Sequence, residues 1–258
     1  MSSIITYENT LASSLGKRGV LKPIDTSGYY AINLGGLDVY NESNALYVAN
    51  TAKDLFKESS HLMRRVSSGK LFNELGHPKR IPGMTDEEYM IRILTVYEDN
   101  ACSHLRKIHL EDFQDPTLNN GKPFIRIIGE VKPMGQLGIL VEDTFKTADS
   151  DACYSIRSIT NDHYVGNIRY KNIKEIATWD YVLEPGIKHA TKYYSASTEG
   201  RLIINTRMLE IAKEKILKDA VGMESSTIVS SIDRLIDISR DTDKMSKSRI
   251  HVPRSLKW

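Results

Sequence analysis

The 258-residue sequence predicts a mainly β fold with helices, of the α+β class. Several short runs are rich in β-branched and aromatic residues and are bounded by Gly, Pro and Asn clusters. Helical periodicity comes in separate blocks, without regular strand–helix alternation. Together these features point to a β-barrel or sandwich decorated by helices and argue against an alternating βαβ fold.

Residues 1–28 are mixed in character and spotted with Gly and Ser, which predicts an irregular arm. Residues 29–40 read as a strand broken at Gly35-Gly36, where a turn or bulge is expected. Leu46, Ala49, Ala52, Leu55, Phe56 and Leu62 recur near helical spacing, so one amphipathic helix is expected over 46–65, stopped by Ser67-Ser68-Gly69. A short strand over 70–75 then runs into the Gly76-His77-Pro78 turn. The acidic run Asp86-Glu87-Glu88 reads as a helix start or a solvated face. Residues 89–97, 101–110 and 124–131 read as strands, with turn signals at Asp115-Pro116 and Asn119-Asn120-Gly121.

A short helix is expected over 137–146, a strand over 151–160, and one or two strands over 168–181, ending at Glu184-Pro185-Gly186. The hexapeptide from Ser195 to Gly200 is small and polar, as a linker would be. Beyond it, residues 202–221 and 226–239 read as helices, the second with Ile228, Ile232, Leu235 and Ile236 on one face. Lys244, Lys247, Arg249, Arg254 and Lys257 make residues 244–258 a basic tail. The predicted organisation is one domain over 1–198 and a C-terminal helical segment over 199–258.

A formal charge of +2 does not argue for nucleic acid as the main partner. Cys102 and Cys153 have neither metal-ligand spacing nor a disulfide framework, so a reducing compartment is expected. His104 and His109 would lie on opposite faces of a strand, which disfavours a shared metal. The Gly-rich segments match neither a dinucleotide nor a P-loop pattern. No cofactor or metal is expected. The N-terminus reads without a signal peptide, and no apolar run approaches the roughly 20 residues of a spanning helix. A soluble intracellular protein without membrane contact is the expectation.

Two segments carry chemistry. A serine hydroxyl needs a neighbouring base to become a useful nucleophile, and histidine is the usual base because it titrates near neutrality. His77 precedes a proline, which biases it to extended geometry at a strand end, where its ring can project into a cleft. Ser155 lies in Tyr154-Ser155-Ile156-Arg157-Ser158, where alternation puts Cys153, Ser155 and Arg157 on one strand face. The competing Ser158 falls on the other face. The segment is not a G-x-S-x-G elbow, so an α/β-hydrolase is disfavoured. On spacing alone, a turn histidine and a solvated strand serine are the better fit.

Residues 29–185 resemble the prohead (procapsid maturation) serine proteases of tailed bacteriophages, relatives of herpesvirus assemblin. The similarity runs through Gly35-Gly36-Leu37-Asp38-Val39, then Leu71-Phe72-Asn73-Glu74-Leu75-Gly76-His77-Pro78, similar to the family's G-E-L-x-H-P signature. It continues through Gly129-Glu130-Val131 to Tyr154-Ser155-Ile156-Arg157-Ser158, similar to the family's S-x-R strand, and to Ala177-Thr178-Trp179-Asp180. Gly76 makes the histidine motif looser than the pattern, and the His-to-Ser interval is long.

The resemblance implies a herpesvirus-protease-like β-barrel flanked by helices, with the C-terminal helices as an appendage. It implies His77 as general base, Ser155 as nucleophile and Asp180 as the residue orienting the imidazole. His163 and Asp162 are the alternatives for the third position. Arg157 would act by charge or serve as a structural ion pair. The implied substrates are phage scaffold or core proteins, the major capsid protein and the chain itself, cut inside the prohead in the host cytoplasm. Some members cut after a small-x-Glu tripeptide, and Ser197-Thr198-Glu199 fits, as do Ala212-Lys213-Glu214 and Gly222-Met223-Glu224. The herpesvirus relatives are controlled by dimerisation, so a homodimer is a further implied partner. A non-enzymatic phage structural or scaffold protein on a related barrel is the alternative reading.

Overall fold

The computed structural model describes residues 5–12, 20–41, 45–116, 119–183, 201–219 and 223–248. The first elements are β1 (Ile5–Ala12), β2 (Tyr30–Leu37), β3 (Ala45–Tyr47), α1 (Ala49–Ala52), α2 (His61–Ser67) and β4 (Phe72–Glu74). The middle of the chain holds α3 (Asp86–Leu94), β5 (Ala101–Phe113), β6 (Phe124–Pro133), α4 (Gly135–Lys146), β7 (Cys153–Val165) and β8 (Ile168–Val182). The last are β9 (Arg201–Ile204), α5 (Thr206–Asp219) and α6 (Met223–Ser248).

The strands form two sheets, ordered β3-β8-β7-β1-β9 and β2-β6-β5-β4. All neighbours are antiparallel except β3 and β8. Among the described residues the ladders do not close, so the expected closed barrel gives way to two sheets within an α+β fold. The sheets meet where β4 ends: Leu75 bridges Tyr181 in parallel, and the Gly76 N–H donates to the Tyr181 carbonyl at 2.7 Å.

Leu34 and Leu37 of β2, Leu105 of β5, Val131 of β6, and Tyr154, Trp179 and Tyr181 of the larger sheet share one core. A second core joins Met90 and Ile93 of α3, Ile159 of β7, Leu202 and Ile204 of β9, Leu209 of α5, and Ile232 and Leu235 of α6. Residues 153–160 are all buried, as befits an internal strand covered on both faces.

Four local expectations need correction. The irregular arm supplies β1, an internal strand between β7 and β9, in a ladder that local sequence cannot announce. The single helix expected over 46–65 is divided among β3, α1, a 3-10 turn (Lys53–Phe56) and α2, whose start is capped by Ser60 accepting from the Met63 N–H at 3.1 Å. The strand expected over 89–97 is α3. There Thr85 and Glu88 form a reciprocal capping box, and the buried set Tyr89, Met90, Ile93 and Leu94 has helical spacing. The helix expected from residue 202 begins as β9, with α5 following it.

The C-terminal elements pack against the rest of the fold. The strand β9 extends the larger sheet, and α6 is tied to β8 through Glu175. That carboxylate pairs with Arg234 and accepts from Ser231 at 3.3 Å, with His61 of α2 also at 3.3 Å. Of the basic tail, residues 244–248 end α6 and residues 249–258 lie outside the described set.

Candidate active site

The turn after β4 positions His77. Gly76 has φ +76°, a left-handed conformation that glycine adopts without steric cost, and its N–H is held by β8. Two further bonds dock β4 on β8: Asn73 Nδ2 donates to the Trp179 carbonyl at 2.8 Å, and Thr178 Oγ1 to the Phe72 carbonyl at 2.5 Å. These contacts bring the His77 ring to Asp180, with Nδ1 and Oδ2 2.8 Å apart. Asp180 is fully buried, whereas His77 keeps 16% of its side-chain surface.

Ser155 is buried and lies directly opposite Asp180 in the β7–β8 ladder. Directly opposed residues point to the same face of a sheet, with Cβ atoms about 5 Å apart. Arg157, two residues on, reaches the same carboxylate, its Nε donating to Asp180 Oδ2 at 2.9 Å and its Nη2 pairing with Oδ1. Burial alone would raise the Asp180 pKa. The Arg157 charge and the His77 hydrogen bond outweigh it and hold the carboxyl below its ordinary 3.8.

An ionised Asp180 can only accept, so His77 Nδ1 carries the proton. In the neutral ring Nε2 is then the basic nitrogen. It is buried and makes no hydrogen bond among the described residues. That is the tautomer a general base needs, with its accepting atom uncommitted.

Arg157 also lies 3.1 Å from Glu74 Oε2, and Arg92 of α3 forks onto Glu74 at 2.6 and 3.0 Å. The carbonyl of Thr95, just past α3, accepts from both arginines, at 2.8 Å from Arg157 and 3.0 Å from Arg92. Glu74 and Arg92 were not singled out from sequence. Glu74 does stand three residues before His77 inside the recognised motif, and that position was the available signal.

The other candidates lie elsewhere. Asp162 bonds Arg169, and His163 stacks on Tyr170, both at the far end of the β7–β8 ladder. Eight residues of strand, about 26 Å, separate His163 from Ser155. Ser158 pairs with Ile176 beyond a register shift. Cys102 and Cys153 are buried free thiols, both pushed up to about 12 by burial. Among the described residues no cluster of His, Cys, Asp or Glu is arranged to hold a metal, and no helix is long and apolar enough to cross a membrane.

A cleft of about 490 Å³ has Arg65, Phe72, Leu94, Thr95, Met134 and Ile228 in its wall, and His77, Ser155 and Asp180 are not among its lining residues. Burial lowers the Arg65 pKa to about 10, against the pull of Glu175.

Comparison with known proteins adds an independent line. The family model described as the Peptidase S80 family matches residues 7–235. The capsid maturation protease of Pseudomonas phage phiKZ is 32% identical over 254 residues, which cover 95% of this chain and 92% of that relative. No solved structure matches the chain.

Proposed function

Since the chain belongs to the peptidase S80 family, we propose that it is a serine endopeptidase of phage procapsid maturation. The observation that carries the catalytic type is the His77–Asp180 hydrogen bond at 2.8 Å with Ser155 opposite Asp180 on the neighbouring strand. Thiols held near 12 supply almost no thiolate at neutral pH, which favours the serine over either cysteine.

In this reading Ser155 Oγ attacks the scissile carbonyl while His77 Nε2 takes its proton. The imidazolium, held through Nδ1 by Asp180, then protonates the leaving amine, and water releases the acyl group by the reverse sequence. Ser155 is fully buried, so a peptide reaches it only after the cover over the strand moves. Substrate side chains are assigned to the neighbouring cleft, because Phe72 and Thr95 in its wall bond Thr178 and Arg157 beside the site.

The substrates are scaffold or core proteins, the major capsid protein and the chain itself, within the assembling head, with a homodimer as a candidate assembly. The phiKZ relative's name, capsid maturation protease, supports the capsid-directed role. Self-cleavage is placed after Glu199, at the boundary of the proposed domains 1–198 and 199–258; residues 184–200 lie outside the described set. The herpesvirus-protease-like relationship rests on the sequence motifs. Co-expression with a phage scaffold protein tests the reading: wild type should cleave it and Ser155→Ala should leave it whole. Cleavage by a folded Ser155→Ala chain would overturn the assignment.

A further inference from the structure

Four charged side chains and one imidazole from five segments meet in a single buried cluster. His77 contacts Asp180, Asp180 contacts Arg157, Arg157 contacts Glu74, and Glu74 contacts Arg92. The side chains of Asp180, Arg157, Glu74 and Arg92 retain 0, 0, 1 and 7% of their surface. Two guanidinium groups face two carboxylates, so the cluster sums to zero only while His77 is neutral. Charge imbalance in a site this dry is costly.

We propose that Arg157 is a positioning residue that sets the pH range of the reaction, its fork on Asp180 cancelling that carboxylate's charge beside the His77 ring. The inference rests on the reading of His77 as general base. A buried His–Asp pair on its own carries one net negative charge and draws a second proton onto the ring. Arg157 removes that attraction while its fork fixes both Asp180 oxygens. Glu74 does the converse, keeping Arg157 from overcorrecting, and Arg92 closes the balance.

The other groups around the turn do not share this role. The Tyr89 hydroxyl of α3 donates to the Pro78 carbonyl at 3.4 Å, and its pKa is raised by burial. Arg80 is paired with exposed Asp86 at 2.7 Å, and Lys79 is exposed. The Cys102 thiol of β5, pushed to about 12, is uncharged, and Tyr97 meets the cluster through its backbone N–H and its ring under Arg92.

The test is the pH profile of kcat/KM for cleavage of the capsid protein. With Arg157→Met the cluster becomes net negative, and the acid limb should move up by about one pH unit or more. With Glu74→Gln it becomes net positive, and the limb should move down by a similar amount. Arg157→Lys keeps the charge, so its limb should stay near the wild-type position even if the rate falls. Limbs that stay put, or that move the same way in Arg157→Met and Glu74→Gln, overturn the proposal. If Arg157→Met does not fold, Glu74→Gln decides, and a limb that stays or rises is the negative result. A His77→Ala chain that still cleaves would instead remove the underlying reading, which separates the two failures.

Discussion

Asp180 stands across the β7–β8 ladder from Ser155 and, from the same face, holds the Nδ1 edge of His77 at 2.8 Å. In the proposed mechanism one buried carboxylate fixes the base while its strand partner presents the nucleophile. Its loss should be severe: Asp180→Asn would present the wrong hydrogen-bonding partner to His77. By analogy with serine-protease triads, kcat should fall by about four orders of magnitude, and the buried Arg157 charge left without its partner should lower stability as well. Circular dichroism and single-turnover cleavage assays on the same preparation check both halves.

The Asp180 carboxyl also makes stability depend on pH. Its folded pKa is depressed, because the Arg157 charge and the His77 hydrogen bond outweigh burial. The contribution is therefore full above the unfolded value near 3.8 and is lost as pH falls through the lower folded value. Denaturant midpoints at pH 6 and pH 3 should differ less for Asp180→Asn than for wild type. Equal differences would argue that other carboxylates dominate acid unfolding.

Gly76→Ala isolates the turn. No atom lies within 4 Å of the added Cβ, so the cost comes from φ +76° alone. About 1 kcal/mol of strain is expected, a fall in Tm of about 2–4 °C for a chain of this size. The activity loss should exceed that, because relaxing the strain turns His77 away from Asp180. Thermal melts and kcat measured side by side separate the two effects.

The buried thiols predict insensitivity to alkylation. With pKa values near 12, Cys102 and Cys153 should resist iodoacetamide at pH 8 in the folded protein, and cleavage activity should survive the treatment. Rapid inactivation that tracks alkylation of either residue would support a thiol mechanism instead.

A cut after Glu199 should not by itself separate the fragments. Leu202, Ile204, Leu209, Ile232 and Leu235 are buried in the shared second core, and Arg234 pairs with Glu175. Five such side chains contribute on the order of 10 kcal/mol of gross burial. The two pieces are expected to co-elute in native size exclusion and to part in denaturant; native separation after the cut would show the C-terminal part to be loosely held.

The motifs around His77, Ser155 and Asp180 were legible because each is a compact run within one strand or turn; the structure bonds His77 to Asp180 and sets Ser155 opposite Asp180 in the β7–β8 ladder. What escaped was the partnering of distant segments. Nothing local in Ile5–Ala12 says that it lies between β7 and β9, and nothing local says that Arg92 will reach Glu74. Arg157 was visible, but its role depended on which carboxylates faced it. The α3 segment misled for another reason: Tyr-Met-Ile-Arg-Ile-Leu suits a strand by composition, and the capping box of Thr85 and Glu88 outweighs that preference.

Covalent labelling tests the central claim most directly. A preparation that cleaves its substrate would be treated with a fluorophosphonate, and the adduct located by peptide mass spectrometry. The account predicts one mechanism-dependent adduct on Ser155, absent from His77→Ala and accompanied by loss of activity. Full inactivation with the adduct on another residue, or labelling of Ser155 that leaves cleavage intact, would contradict it.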